Sequence, residues 1–283
     1  IHALFLALAD SDNIVRLQAA QSLGQLGYKN TPAIQVLREF VDASDWHLRN
    51  DAAMTLVQWG LVDSRVIEVL RSQLQMEDVA ARSYAALILG DTGKSEPEVV
   101  SALLATLQDG QAIVREAACR SLGYLGASHP EIVHGLEAAL DDPERDVRSA
   151  AVISLRQVKP VTSESTQALI MALKDGDWPV RWFAVQGLSE RIESNPEIEF
   201  ALAGALDDEN DTVRVEAARC LASRRAVASQ TAATMARATV AEQIRGQQDQ
   251  GFYRYHLLRS FEPAKSAMPV IADAVAQALL EGN

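Results

Sequence analysis

Apolar residues return along this chain in blocks of constant length. An apolar residue followed by arginine recurs at Arg16, Arg49, Arg82, Arg115, Arg148, Arg181 and Arg214, each 33 residues from the last. Three residues after every one of these arginines stands an alanine (Ala19, Ala52, Ala85, Ala118, Ala151, Ala184, Ala217). Seven residues after them stands a leucine (Leu23, Leu56, Leu89, Leu122, Leu155, Leu188, Leu221). Apolar positions at −1, +3, +4 and +7 from arginine lie on one stripe at 3.6 residues per turn, which predicts an amphipathic helix. Twelve residues before each arginine is another leucine (Leu4, Leu37, Leu70, Leu103, Leu136, Leu169, Leu202), followed four residues later by Leu or Val. This spacing predicts a first helix, and the Asp-, Asn- and Gly-rich stretch between the two predicts a turn. A helix pair of this size cannot bury its stripe alone, so successive pairs must stack around one continuous core. The fold class is therefore all-α, an α-α superhelix.

The finer positions fit this reading. Acids four residues before arginine (Asp12, Asp45, Asp78, Glu144, Asp177), with Gln111 and Asn210 in the same slot, are placed to cap the second helix. Pro97, Pro130 and Pro196 suit the first turn of the first helix, where a missing N–H costs nothing. Alanine at +3 lets helices approach closely. The arginine enters the same stripe and needs an oxygen there, for which the acid six residues earlier is the expected partner. That acid is present at Asp10, Asp109, Asp142, Asp175 and Asp208 but is replaced by Ala43 and Met76, so repeats two and three need another acceptor.

After Arg214 the next arginine that fits is Arg254, with Leu257, Leu258 and Phe261 behind it, an interval of 40. Residues 266–281 read as a last helix with Val275 and Leu279 in the leucine slots. The expectation is a single solenoid over residues 1–283, regular to about 225 and irregular beyond, with eight helix pairs plus one helix.

Composition supports the array. Hydrophobic residues are 48% of the chain but aromatics only 5%, so Ala and Leu carry the apolar content, which excludes disorder and argues against an all-β fold. The net charge of −12 opposes a polyanion over most of the surface. Two cysteines, Cys119 and Cys220, are too few for a disulfide scaffold and suit a reducing, cytoplasmic compartment as small core residues. No apolar run reaches the roughly 18 to 20 residues that span a bilayer. The chain opens inside a helix, without an initiator Met or signal peptide, and so reads as a fragment with a possible upstream domain.

Leucines before an Asp turn, then Val-Arg, Ala at +3 and Leu-Gly at +7 and +8, as in DSDNIVRLQAAQSLGQLG and QDGQAIVREAACRSLGYLG, resemble the HEAT repeat. The similarity is greatest to the variety named after phycobilisome lyases. It implies an Asp–Arg ladder between repeats, first helices outside, and second helices lining a concave surface. The Thr-Pro-Leu-His signature of ankyrin repeats is absent.

Few residues invite catalytic chemistry. His2, His47, His129, His134 and His256 form no His-Glu pair and no HExxH, so the iron motifs of the HEAT-repeat deoxyhypusine hydroxylases are missing and no metal or cofactor is expected. His129 and His134 do not share a helix face and read as surface residues. The acids at 207–211 alternate as in a calcium loop, but Thr212 stands where Gly is required, and capping explains them. The glycines after the second helices (Gly24, Gly27, Gly90, Gly93, Gly123, Gly126) read as helix ends rather than a phosphate loop.

The informative positions are those of the second helix opposite its stripe, which should be polar in a purely structural helix. In repeats three to six they hold Tyr84, Leu87, Tyr124, Ile153, Trp182 and Phe183, bordered by Asp91, Glu116 and Glu190. Trp178 stands four residues before Trp182, so their rings are expected side by side. Trp46 and Trp178 share a slot at −3 that can brace adjacent helices, and Trp59 takes a slot that is Leu26 and Leu125 elsewhere and reads as core. Apolar and aromatic side chains facing water suggest a protein or peptide groove about 30 Å long across these repeats. Residues 219–265 form a basic segment of net +5, with Arg219, Arg224, Arg225, Arg237, Arg245, Arg254, Arg259 and Lys265.

The leading function is a non-catalytic interaction scaffold or sensor module binding a protein along its concave face. One alternative, implied by the resemblance, is a phycobilin lyase or its chaperone. Others are a HEAT-like nucleic-acid binder using the basic segment and a HEAT-like DNA glycosylase, which needs a basic concave face with a catalytic acid in it; the net charge disfavours both, and no acid stands out for the second.

Overall fold

A computed structural model describes residues 1–29, 31–126, 129–159, 161–191 and 195–223. Among these residues all regular structure is helical, and no strand occurs. The chain divides into two compact units, residues 1–160 and 161–283.

The first unit holds five helix pairs. They are α1 (His2–Ala7) with α2 (Asn13–Gln25), α3 (Thr31–Val41) with α4 (Trp46–Gln58), α5 (Ser64–Gln73) with α6 (Val79–Asp91), α7 (Pro97–Thr106) with α8 (Ala112–Leu125), and α9 (Pro130–Ala138) with α10 (Arg145–Gln157). A short 3-10 turn, Ala139–Asp141, follows α9. The described part of the second unit holds α11 (Ser163–Ala172) with α12 (Trp178–Ser189), and α13 (Pro196–Gly204) with α14 (Asp211–Ser223). These are seven of the expected pairs. The eighth pair and the helix over 266–281 lie outside the described residues.

The repeating slots are the core. Leu37, Leu70, Leu103 and Leu136 of the first helices, and Leu23, Leu56, Leu89, Leu122 and Leu155 of the second, are fully buried. Each contributes about 2 kcal/mol of apolar burial. The +3 alanines are equally buried, and their single methyl lets α6, α8 and α10 pack in close succession.

Helix starts follow the sequence in part. Asp12, Asp45 and Asp78 accept backbone N–H groups from Ile14, His47 and Ala81. Gln111, Glu144 and Asp177 occupy the same position without a side-chain cap. There the acid two residues earlier ties the turn instead: Asp109 accepts from the Gln111 N–H, Asp142 from Glu144 and Asp175 from Asp177. Pro97, Pro130 and Pro196 begin their helices as expected.

The arginine's partner differs from the expected one. Arg82 donates to both carboxylate oxygens of Asp109, Arg115 to those of Asp142, and Arg181 to those of Asp208, in each case 27 residues ahead in the next repeat. The residue six positions earlier supplies only its backbone carbonyl, as Met76 does for Arg82 and Asp109 does for Arg115. A guanidinium carries enough donors to serve both oxygens and the carbonyl at once, so it clamps its own turn to the next. The arginines facing Ala43 and Met76 are therefore those of repeats one and two, not two and three. Arg16 turns to Glu39, and Arg49 lies 3.1 Å from the Met76 sulfur.

Glycine roles also divide. Gly27, Gly60, Gly93 and Gly126 have φ between 64° and 87°, the left-handed conformation that ends a helix. Gly24, Gly90 and Gly123 instead sit inside their helices as contact points. A Cβ on Gly90 would lie 2.7 Å from Ser121, and one on Gly123 2.7 Å from Ser154. Trp59 lies over Gly24, half-buried rather than core.

Candidate functional site

The water-facing positions of the second helices carry the unusual side chains, and the first unit presents one group of them. Tyr84 on α6 and Tyr124 on α8 are 53% and 60% exposed. Leu87 and Ile153, at +5 on α6 and α10, are half-buried. Sequence reasoning did not join Trp46 to this group. Its ring stacks on His47 at 3.7 Å and lies 6.3 Å from the Tyr84 ring, so an aromatic contact links α4 to α6. The two positions differ by 38 residues, and a pattern read within one repeat period does not pair them.

Carboxylates stand in the same slots one repeat away. Asp51 occupies the +2 position that holds Tyr84 in the next repeat, and Asp91 the +9 position that holds Tyr124. Loss of water raises both carboxyls above their ordinary range, and Asp45 adds to the shift at Asp51. Glu116 is held by Arg120 at 2.6 Å, one turn on along α8.

In the second unit Trp178, at the first turn of α12, is 45% exposed. The ring of Trp182 pairs edge to face with Phe183, with centroids 5.0 Å apart, and not with Trp178 as the i, i+4 spacing suggested. Both residues are half-buried. None of the seven residues is fully buried. Tyr84, Leu87, Tyr124 and Ile153 belong to the first unit and Trp178, Trp182 and Phe183 to the second.

Of the basic segment, Arg219 lies on α14 and pairs with Glu216, which offsets its charge. Arg224, Arg225, Arg237, Arg245, Arg254 and Arg259 lie outside the described residues, as does Lys265.

Cys119 and Cys220 are both buried, as read from the sequence. Burial pushes their thiols up to about 12 and about 11, far from the thiolate needed for chemistry. His134 is exposed, whereas His129 is half-buried with its Nε2 2.7 Å from the Ser95 carbonyl oxygen. Of the residues at 207–211 the cap of α14 is Asn210, an amide, which accepts from the Thr212 N–H; Asp208 ties the turn by accepting from the Asn210 N–H and receives Arg181. Among the described residues no three His, Cys, Asp or Glu side chains form a group able to hold a metal. None of their helices is long and apolar enough to cross a membrane.

A family model described as HEAT repeats matches residues 1–87, 67–156 and 166–247. Among solved structures, Escherichia coli YibA is similar over 95% of this chain and 91% of its own, with 21% identity and a TM-score of 0.57. Kap95, in its complex with Nup1, is similar over 99% of this chain and 43% of its own, with 14% identity and a TM-score of 0.59. The complex of CpcE and CpcF of phycocyanin lyase from a Nostoc species is 21% identical over 83% of this chain and 91% of its own, with a TM-score of 0.46. No curated protein sequence matches the chain.

Proposed function

The chain belongs to the HEAT-repeat family, and from that premise we propose that it is a non-catalytic module holding a protein or peptide partner through the water-facing side of its second helices. The observation that carries this reading is the exposure of Tyr84 and Tyr124 at positions that packing leaves free. Tyrosine and tryptophan bring a large apolar face and a polar edge, and they dominate binding energy when a partner buries them. A helix that served only to stack would place polar side chains there, as Gln18, Gln25 and Gln58 do in the first two repeats. Trp178, Trp182 and Phe183 offer a second aromatic surface on α12. The array of Kap95, similar in fold, has been solved with Nup1, an instance of this architecture occupied by a protein.

The test is capture by the immobilised chain from an extract of its own source, followed by identification of the retained protein. The double variants Tyr84→Ser with Tyr124→Ser, and Trp182→Gln with Phe183→Ser, should each weaken retention at least tenfold while helical content and melting temperature stay near the parent values. Retention of the same protein at undiminished strength by both variants would discard the reading.

A further inference from the structure

Tyr84 and Tyr124 each follow a carboxylate in their own slot. Asp51 holds the +2 position of α4 where Tyr84 holds that of α6, and Asp91 holds the +9 position of α6 where Tyr124 holds that of α8. The three helices pack in succession, so each acid stands one helix spacing, about 8–10 Å, from the tyrosine that follows it. All four side chains are exposed. Trp46 extends the first of these two steps, with its ring 6.3 Å from that of Tyr84.

The described residues make no use of the two acids. Other acids of the second helices are paired: Glu116 with Arg120, Asp146 with Arg145 and Glu216 with Arg219. Among the described residues no arginine or lysine pairs with Asp51 or Asp91, and His47, one turn before Asp51, has its Nδ1 3.1 Å from Asp45.

Their placement also works against folding. Asp91 is the last residue of α6, where the helix dipole is negative and repels a carboxylate. Partial loss of water disfavours the charge of both acids, and Asp45 adds repulsion at Asp51. Asn50, one turn after Trp46 along α4, is 5% exposed with neither end of its amide hydrogen-bonded, a further cost at the same place. Unpaired acids kept at a cost beside exposed tyrosines are accounted for when a partner brings the missing counter-charge.

We propose that the two carboxylate–tyrosine steps, Asp51 with Tyr84 and Asp91 with Tyr124, each receive a cationic side chain from an extended basic segment of the partner. Such a group meets a carboxylate on one side and an aromatic face on the other. Arginine does so best, because its plane stacks on a ring while its edge bonds both carboxylate oxygens. The steps are offset by one helix spacing across the array and by about 10 Å along the helix, which puts them about 14 Å apart. An extended chain covers that distance in about four residues at roughly 3.3 Å each, and residues i and i+4 of such a chain point to the same side. The partner therefore carries two basic residues about four apart. The inference rests on the reading of Tyr84 and Tyr124 as a binding surface and names the chemistry that surface takes.

The test presents the full chain with immobilised glycine–serine peptides carrying two arginines at varied separation, and with matched peptides in which neutral citrulline replaces arginine. Retention should peak near a separation of four and fall at least tenfold with citrulline. Asp51→Asn with Asp91→Asn should weaken it at least tenfold while raising the melting temperature by about 1–3 °C. Glu96→Gln with Glu98→Gln, which removes the same charge at the start of the first helix α7, should leave it within about twofold. A parent chain that retains citrulline peptides equally or ignores the separation overturns the proposal. So does an equal loss in the two acid pairs, which would mean diffuse attraction to an acidic surface. The partner captured from the extract separates this proposal from the reading beneath it. Capture that survives Asp51→Asn with Asp91→Asn but is lost on Tyr84→Ser with Tyr124→Ser overturns the cationic occupant alone; capture undiminished by either pair discards the tyrosine surface and the occupant with it.

Discussion

Arg115 and Asp142 join two consecutive repeats through paired hydrogen bonds, Nε to Oδ2 at 2.7 Å and Nη2 to Oδ1 at 2.8 Å, with both side chains largely shielded from water. The same guanidinium binds the Asp109 carbonyl through Nη1 at 2.8 Å, and Asp109 in turn receives Arg82. Each turn is therefore both acceptor for the repeat behind it and anchor for the arginine of its own helix. The charges gain from this geometry because removal from water is matched by bidentate bonding on one side and a carbonyl on the other.

Removing one partner should expose that dependence. Asp142→Asn leaves Arg115 shielded without its counter-charge and is expected to destabilise the first unit by about 3 kcal/mol. Combining it with Arg115→Met should cost less than the two single changes added together. Chemical denaturation of the four proteins, read as a double-mutant cycle, measures the coupling, and strict additivity would contradict the ladder.

The ladder has a gap that can be closed. Met76 stands where a turn aspartate would face Arg49, whose Nη2 lies 3.1 Å from the thioether sulfur, a weak acceptor. Met76→Asp should supply the missing carboxylate and raise stability by about 1 kcal/mol, as for a charge-assisted hydrogen bond net of desolvation. The gain should vanish in an Arg49→Met background. Melting temperatures of the single and double variants decide it.

How much of this was legible in the sequence depends on whether the cause lay within one repeat. The leucine and alanine slots, the prolines opening α7, α9 and α13, and the all-helical class follow from spacing alone, because each is a property of a single amphipathic helix. The arginine's true partner was not legible that way. Asp109 lies six residues before Arg115 but belongs to Arg82, and only the translation between repeats tells a near neighbour in sequence from one in space. Gly90 and Gly123 looked like helix ends for the same reason, since the serine that demands them sits one repeat later. Gln73 was missed because its slot is Phe40, Thr106 and Ala139 elsewhere; the structure buries its amide with neither end paired, as it does that of Asn50. The candidate binding residues were legible as departures from the polar pattern. The Trp46–Tyr84 contact was not, and the aromatic pairing on α12 joins Trp182 to Phe183, not to Trp178.

Close approach between second helices makes a further prediction. A Cβ at Gly123 would stand 2.7 Å from both the Cβ and the hydroxyl of Ser154 and 2.8 Å from its Cα, so a rotamer change cannot relieve the clash. Gly123→Ala should cost about 2 kcal/mol despite the higher helix propensity of alanine, because α8 and α10 must move apart. Gly110, whose added Cβ would meet nothing, is the matched control. Equal stability of the two alanine variants would mean that the helices are not in this contact.

Acid should loosen the array through the same carboxylates. The hydrogen bond from Arg82 holds Asp109 below its ordinary range; at Asp142 burial pushes upward, but the bonds and charge of Arg115 and the Glu144 N–H outweigh it. A carboxyl depressed in the folded state binds protons more weakly there than in the unfolded chain. Its contribution is fully present above the unfolded value and is lost as pH falls through the folded one. Asp51 and Asp91 are shifted the other way, so their protonation favours the folded state and begins at higher pH. The melting temperature should hold or rise slightly from pH 7 to about 5 and then fall below roughly pH 4, where ordinary aspartates protonate. Asp142→Asn, which has no proton to take up at that position, should start lower and lose less on the same acid titration. If parent and variant instead fall in parallel throughout, the Arg115–Asp142 pair contributes nothing to the acid limb.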